Sequence, residues 1–139
     1  MNYFLTDGCY YIVDLPGYGY AKVSKAERAF FANLINPYLK TRSELAGILQ
    51  LIDARHGPVA GDHQMLDWLR ESGRRVLYVL TKADKLSGNG RQRMLKEAGE
   101  RLGSKNCIMF SSLTGMGADD IRSWIAESLA LAQKSDRLR

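Results

Sequence analysis

The chain has 139 residues, 45% of them hydrophobic and 25% charged. That is ordinary globular composition, which excludes a collagenous, disulfide-dense or largely disordered protein and suits one domain with a real core. Twenty Lys and Arg against 15 Asp and Glu give a formal net charge of +5, compatible with an anionic partner such as RNA without specifying one.

Cys9 and Cys107 lack metal- or redox-motif spacing and are expected as reduced, buried thiols. The N-terminus has no basic region followed by an apolar core, and no apolar run approaches membrane-spanning length. The expectation is a soluble, cytoplasmic protein with no membrane partner.

In chain order, Tyr3-Phe4-Leu5, the turn Thr6-Asp7-Gly8 and Cys9 to Val13 predict a β-hairpin, with Asp-Gly as its turn signal. It ends in Asp14-Leu15-Pro16-Gly17. Ser24 and Glu27 have capping-box spacing, and Phe30, Phe31, Leu34, Ile35, Tyr38 and Leu39 recur with helical period, predicting a helix from near Lys25 to about Arg42, kinked at Pro37. Gly47 to Ile52 reads as a buried strand and Asp53 to Pro58 as a loop. A helix from Asp62 should stop at Gly73.

Val76 to Leu80 is a run of five apolar residues that leads into Thr81-Lys82-Ala83-Asp84, and it predicts a buried strand opening onto a polar loop. Ser87 to Gly90 reads as a turn, Arg91 to Leu102 as a basic helix stopped by Gly103, and Cys107 to Phe110 as a short buried strand before Ser111-Ser112-Leu113. A last helix should run from about Asp119, its cap, to Gln133, with a polar tail over 134–139 that frays. Strands alternating with helices predict an α/β fold with a doubly wound, mostly parallel sheet and an N-terminal antiparallel hairpin.

Ligands bind at the carboxyl ends of strands in open α/β sheets. A carboxylate fixed at such a point accepts hydrogen bonds from both the N1–H and the exocyclic amino group of guanine, whereas adenine presents an acceptor in place of that N1–H. Asp84 is thus a candidate guanine selector, with the aliphatic stem of Lys82 along the base plane. The plainer reading of Thr-Lys-x-Asp is four common loop residues, and the tetrapeptide alone leaves both open. Asp14 can hold a magnesium ion through water, and the bare backbone of Gly17 can bring its N–H to a terminal phosphate.

The strings Asp14-Leu15-Pro16-Gly17-Tyr18-Gly19-Tyr20-Ala21-Lys22, Asp53-x-Arg55-His56-Gly57-Pro58 and Thr81-Lys82-Ala83-Asp84-Lys85-Leu86 resemble the EngB group of bacterial GTPases, also called YihA or YsxC. The resemblance runs from Asn2 to about Gln133. It implies a P-loop-GTPase-like protein that binds GTP/GDP with Mg2+ and acts in assembly of the large ribosomal subunit, contacting rRNA and ribosomal proteins, with a link to cell division and septation.

By position it implies that Asp14 and Gly17 contact the magnesium water and the γ-phosphate, with Leu15 and Pro16 shaping the turn. Thr81, Lys82, Ala83 and Asp84 would form the guanine clamp, and Ser111 and Ser112 the loop whose backbone N–H groups approach the guanine O6. Thr81 stands where many GTPases place Asn, which weakens loop-to-loop bonding. Tyr18 stands where many have a water-orienting Gln, so hydrolysis should be slow. Tyr18 and Tyr20 read as loop packing or, alternatively, as an aromatic partner surface. His56 reads as a loop hydrogen-bonder and His63 as a helix-surface residue.

No glycine in the chain is followed by lysine, so the string G-x-x-x-x-G-K-[ST] is not in it. By resemblance, residues 1–133 are a G domain lacking the phosphate loop, the first switch and the central first strand, which would lie between the strands ending at Asp14 and Asp53. Those two edges are expected to pair with each other or with a second copy of the chain, giving an oligomer. Two functions stay open: a GTP-binding protein, and a nucleotide-free module binding RNA or ribosomal protein.

Overall fold

The structure, a computed structural model, describes residues 1–15, 17 and 25–137. Pro16, Tyr18, Tyr20 and the Ser24 cap lie outside the described residues, as do the side chains of Glu27, Phe30, Phe31 and His63. The chain divides into two compact units, Met1–Thr41 and Arg42–Arg139.

In the first unit, β1 (Asn2–Thr6) pairs antiparallel with β2 (Tyr10–Asp14). Asp7 and Gly8 have φ of 52° and 65°, and the Cys9 N–H donates to Thr6 O at 3.0 Å. Two successive positive φ values are what a type I′ hairpin turn demands, which is why Asp-Gly serves here. The turn carries Cys9 into solvent, against the expectation of a buried thiol. Tyr3 and Tyr11 meet edge to face, with ring centroids 6.3 Å apart. Helix α1 (Lys25–Thr41) continues through Pro37, whose carbonyl accepts from the Thr41 hydroxyl at 2.8 Å.

The second unit is built on a parallel sheet in the order β3 (Ile48–Asp53), β4 (Val76–Thr81), β5 (Cys107–Met109). α2 (Ala60–Ser72) joins β3 to β4, and α3 (Gly88–Leu102) joins β4 to β5. Parallel neighbours need such crossovers. Central β4 is buried on both faces: Leu77, Tyr78, Val79 and Leu80 are 2, 4, 1 and 0% exposed. Each such side chain stabilises the fold by roughly 1.5–3 kcal/mol through burial. Helix α4 (Ala118–Arg137) packs where β3 begins, because Gly47 leaves room for the Trp124 ring: a Cβ there would lie 2.6 Å from it.

Several boundaries differ from the sequence expectation. α2 starts at Ala60, and Asp62 is not its first residue but the third-position acid whose Oδ2 accepts the Val59 N–H at 2.7 Å. α3 begins inside the presumed turn cluster, because Ser87 Oγ accepts the Gly90 N–H at 3.1 Å and caps it. Asp119 pairs with Arg122 within the first turn of α4 and does not cap it, and the helix continues to Arg137 through residues read as a fraying tail.

β3 is an edge strand with Leu51 63% exposed, and among the described strands nothing pairs with its outer edge. Among the described strands, β2 pairs with β1 in a two-stranded sheet and β3 with β4 in a three-stranded one. None of the described helices is long and apolar enough to cross a membrane.

Candidate functional site

Parallel pairing sets Asp53 opposite Thr81, so β3 and β4 end level with one another. The Thr81 hydroxyl donates to Ile52 O at 3.2 Å, and Thr81 O accepts the Ala54 N–H at 2.9 Å. This ties the two strand ends together where the sheet stops. Lys82 then turns into the left-handed region, with φ 59° and ψ 34°, and a single 3₁₀ turn follows over Ala83–Lys85. For a residue with a Cβ that conformation is disfavoured and persists only when its surroundings fix it.

The surroundings do so here. The Ala83 N–H donates to Phe110 O at 3.0 Å, the Lys85 N–H to Lys82 O at 3.0 Å, and Ala83 is fully buried. From α3, Arg91 Nη1 donates to Leu86 O at 2.8 Å and holds the far side of the turn.

Asp84 is half-buried, and its Oδ1 accepts the Ser111 hydroxyl at 2.6 Å. That bond is the main reason its carboxyl lies below the usual carboxylate range. Ser111 is itself fully buried; its Oγ accepts the Thr114 N–H at 3.2 Å. The loop can close so tightly because Gly117, at φ 76°, lies where a Cβ would collide with Met109 O. The result is a carboxylate charged at neutral pH, oriented chiefly by the Ser111 hydroxyl, with Lys85 Nζ 3.9 Å from its Oδ2.

The structure corrects the expectation for Ser111 in one respect. Its own N–H donates to Met116 O at 3.1 Å to close the loop, so its part at this site is played by its hydroxyl. Ser112 and Leu113 are exposed at the loop tip.

Lys82 also departs from a simple stacking role. Its Nζ lies 3.0 Å from Asp53 Oδ2, while Arg55 reaches the same carboxylate through Nη2 at 2.7 Å and through its backbone N–H at 3.0 Å. The hydrogen bond from Arg55, followed by that from Lys82, holds the Asp53 carboxyl far below the usual range. The backbone amides of His56 and Gly57 donate to Asp53 O and close the turn; the His56 side chain is exposed.

Sequence reasoning assigned no role to Asp53 or Arg91. The signal for Asp53 was its place at a strand end in a quoted motif, but its pairing with Lys82 depends on a register that sequence does not display. Arg91 reads in the sequence only as the first residue of a basic helix.

The other predicted site residues belong to the first unit. Asp14 ends β2, exposed, with its Oδ2 accepting from Asn2 Nδ2 at 3.4 Å; Leu15 is half-buried and Gly17 exposed, with open space where its side chain would be. Among the described residues no three His, Cys, Asp or Glu side chains converge as metal ligands. Asp14 offers a single carboxylate at the end of β2.

No family model matches the chain. Among curated proteins it is 42% identical over 130 residues to the "Probable GTP-binding protein EngB" of Limosilactobacillus fermentum, covering 91% of this chain and 66% of that protein. It is 40% identical over 136 residues to the protein of the same name from Shouchella clausii, covering 96% and 69%. The match to that of Symbiobacterium thermophilum is 43% over 124 residues, covering 86% and 53%. The chain thus spans between about half and just over two thirds of the length of these relatives.

Among solved structures, the crystal structure of a probable GTP-binding protein EngB superposes with a TM-score of 0.70 at 17% identity, over 86% of this chain and 78% of that one. The apo elongation factor SelB of Methanococcus maripaludis gives 0.63 at 23% identity, over 85% and 24%. At those identities the structures speak for the fold, and the sequence matches speak for descent: the chain belongs to the EngB family.

Proposed function

We propose that this chain is the guanine-reading portion of a GTP-binding protein. The observation that carries this is the Ser111–Asp84 bond of 2.6 Å at the end of the central strand. It holds an ionised carboxylate at the ligand-binding end of the sheet. Asp84 accepts the N1–H and amino protons of guanine, Lys82 lays its stem along the base, and the exposed residue Ser112 lies on the loop that would meet the O6. Entry of adenine would leave the carboxylate facing an acceptor, a mismatch that costs several orders of magnitude in buried sites, up to roughly 10⁵.

Asp14, Leu15, Pro16 and Gly17 would sense the γ-phosphate of GTP and its magnesium, Asp14 acting through a metal-bound water. Hydrolysis by these 139 residues alone is expected to be negligible. Electrostatic stabilisation by a phosphate loop and metal is the main catalytic term in this chemistry, and no such loop string is present. The family resemblance extends the proposal to large ribosomal subunit assembly in the cytoplasm, with a link to division and septation. A second copy of the chain, paired on the open edges of β2 and β3, is a further proposed partner, tested by concentration-dependent light scattering.

The test is a titration followed by NMR amide shifts. GDP is expected to perturb the amides of Thr81 to Lys85 and Ser112 saturably, and ADP is not. Asp84→Asn is expected to weaken GDP at least tenfold and to favour xanthosine diphosphate, whose carbonyl replaces the amino group. Equal shifts with ADP and GDP would remove the site assignment. The second reading, a nucleotide-free RNA- or ribosomal-protein-binding module, draws on the exposed Arg93, Lys96 and Arg101 of α3. It predicts that charge reversal on that helix abolishes rRNA binding while GDP causes no shifts.

A further inference from the structure

Lys82 is held at two points. Its backbone is left-handed at φ 59°, and its ammonium is fastened 3.0 Å from Asp53 Oδ2 on the neighbouring strand. A lysine side chain is ordinarily a flexible four-carbon stem, and ordering it on ligand binding costs rotamer entropy. A stem already pinned at its tip pays less of that cost when a base lies on it. The pin is itself well anchored. Asp53 Oδ1 accepts the Arg55 backbone N–H at 3.0 Å, Arg55 reaches both carboxylate oxygens, and the backbone around Asp53 is locked by the turn amides of His56 and Gly57.

We infer that Asp53 is a positioning residue for nucleotide recognition: it holds the Lys82 ammonium so that the lysine stem is preorganised as the platform for the base, with Arg55 holding Asp53 in turn. The inference rests on the guanine reading of this site. It assigns to the Asp53-x-Arg55 string a part in base affinity that is distinct from closing its own turn.

The two parts are separable by chemistry. Asp53→Asn keeps an oxygen for the Arg55 amide and removes the charge that holds Lys82. Lys82→Met keeps an aliphatic stem and removes the ammonium. GDP affinity is measured by NMR titration for the wild-type chain, each single variant and the double variant, with ADP as control. The expected result is a three- to tenfold loss on Asp53→Asn when Lys82 is present, and less than a twofold loss when residue 82 is Met.

Equal losses in the two backgrounds would mean that Asp53 acts only on its turn, and no loss in either would mean that it does not act on the base at all; both overturn the inference and leave the guanine reading standing. A wild-type chain with no saturable GDP shifts would overturn the reading and the inference together. Should Asp53→Asn fail to fold, Lys82→Met without nucleotide decides. Exchange of the Lys85 amide, which donates to Lys82 O, is expected to quicken at least threefold, and an unchanged rate overturns the inference.

Discussion

At the end of β4, Thr81, Ala83 and Lys85 make backbone bonds, Lys82 and Asp84 make side-chain bonds, and Arg91 braces the turn from α3. At the end of β2, Asp14 has its bond from Asn2 at 3.4 Å and Gly17 is exposed. Both strand ends carry residues proposed to meet a nucleotide, yet one is assembled from its own unit and the other is little constrained by described neighbours. The difference follows from their sheets. β4 is buried between two parallel partners, whereas the hairpin is a two-stranded ribbon, an arrangement of marginal stability on its own in water. A carboxylate's value as a selector depends on how firmly its backbone is held, and among the described residues the buried strand supplies that for Asp84.

The largest expected effect tests that difference directly. Leu80 is fully buried beside the site and Phe4 of the hairpin is 57% exposed. Leu80→Ala should cost about 2–5 kcal/mol, the range for buried leucines, whereas Phe4→Ala should cost less than about 1 kcal/mol. Urea unfolding of the two variants reads both; comparable losses would mean that the hairpin is as strongly built as the parallel sheet.

A smaller effect concerns Ser111→Ala. Loss of the buried hydroxyl removes the acceptor for the Thr114 amide, at about 1 kcal/mol, and with it the main cause of the lowered Asp84 pKa. The sign follows from linkage. A carboxyl whose folded pKa is depressed stabilises the fold above its unfolded value of about 4, and that stability is lost as pH falls through the folded value. The gap in stability between wild type and Ser111→Ala should therefore be widest near neutrality and narrow below about pH 4. Asp53, held low by Arg55 and Lys82, should behave likewise when changed to Asn. A gap that widens on acidification would reverse the assignment of Ser111 as donor to a charged Asp84.

How much of this was legible in the sequence depended on whether the determinant was local. The apolar run of β4, the Asp-Gly turn and the glycines ending α2 and α3 carry their own signals, and each appears where the sequence placed it. Gly88 and Gly90 were read as loop punctuation, but one side-chain cap from Ser87 outweighs their poor helix propensity. The polar end of α4 was read as frayed, yet Lys134 and Arg137 suit a helix C-terminus and the Ser135 hydroxyl donates to Leu131 O. The Asp53–Lys82 pair was beyond reach because it is made across a sheet register, and the roles of Asp14 and Thr81–Asp84 came from motif resemblance more than from local chemistry.

The smallest effect sharpens the comparison at its weaker side. Gly8 has φ 65° and open space around it, so Gly8→Ala meets no steric neighbour and pays only for its backbone conformation, about 1 kcal/mol. Asp7 already occupies a similar conformation at φ 52°, which Asp tolerates better than most residues. Because the penalty falls on a two-stranded turn, it should be spent on local opening: the Cys9 amide, which donates to Thr6 O, is expected to exchange about fivefold faster, the equivalent of 1 kcal/mol. The amides of Ala83 and Lys85, bonded within the second unit, should keep their rates. Hydrogen exchange resolved by residue measures both sets at once. If the Lys85 amide quickened in step with Cys9, the two strand ends would be opening as one cooperative unit, and the contrast between an assembled and a little-constrained site would have to be given up.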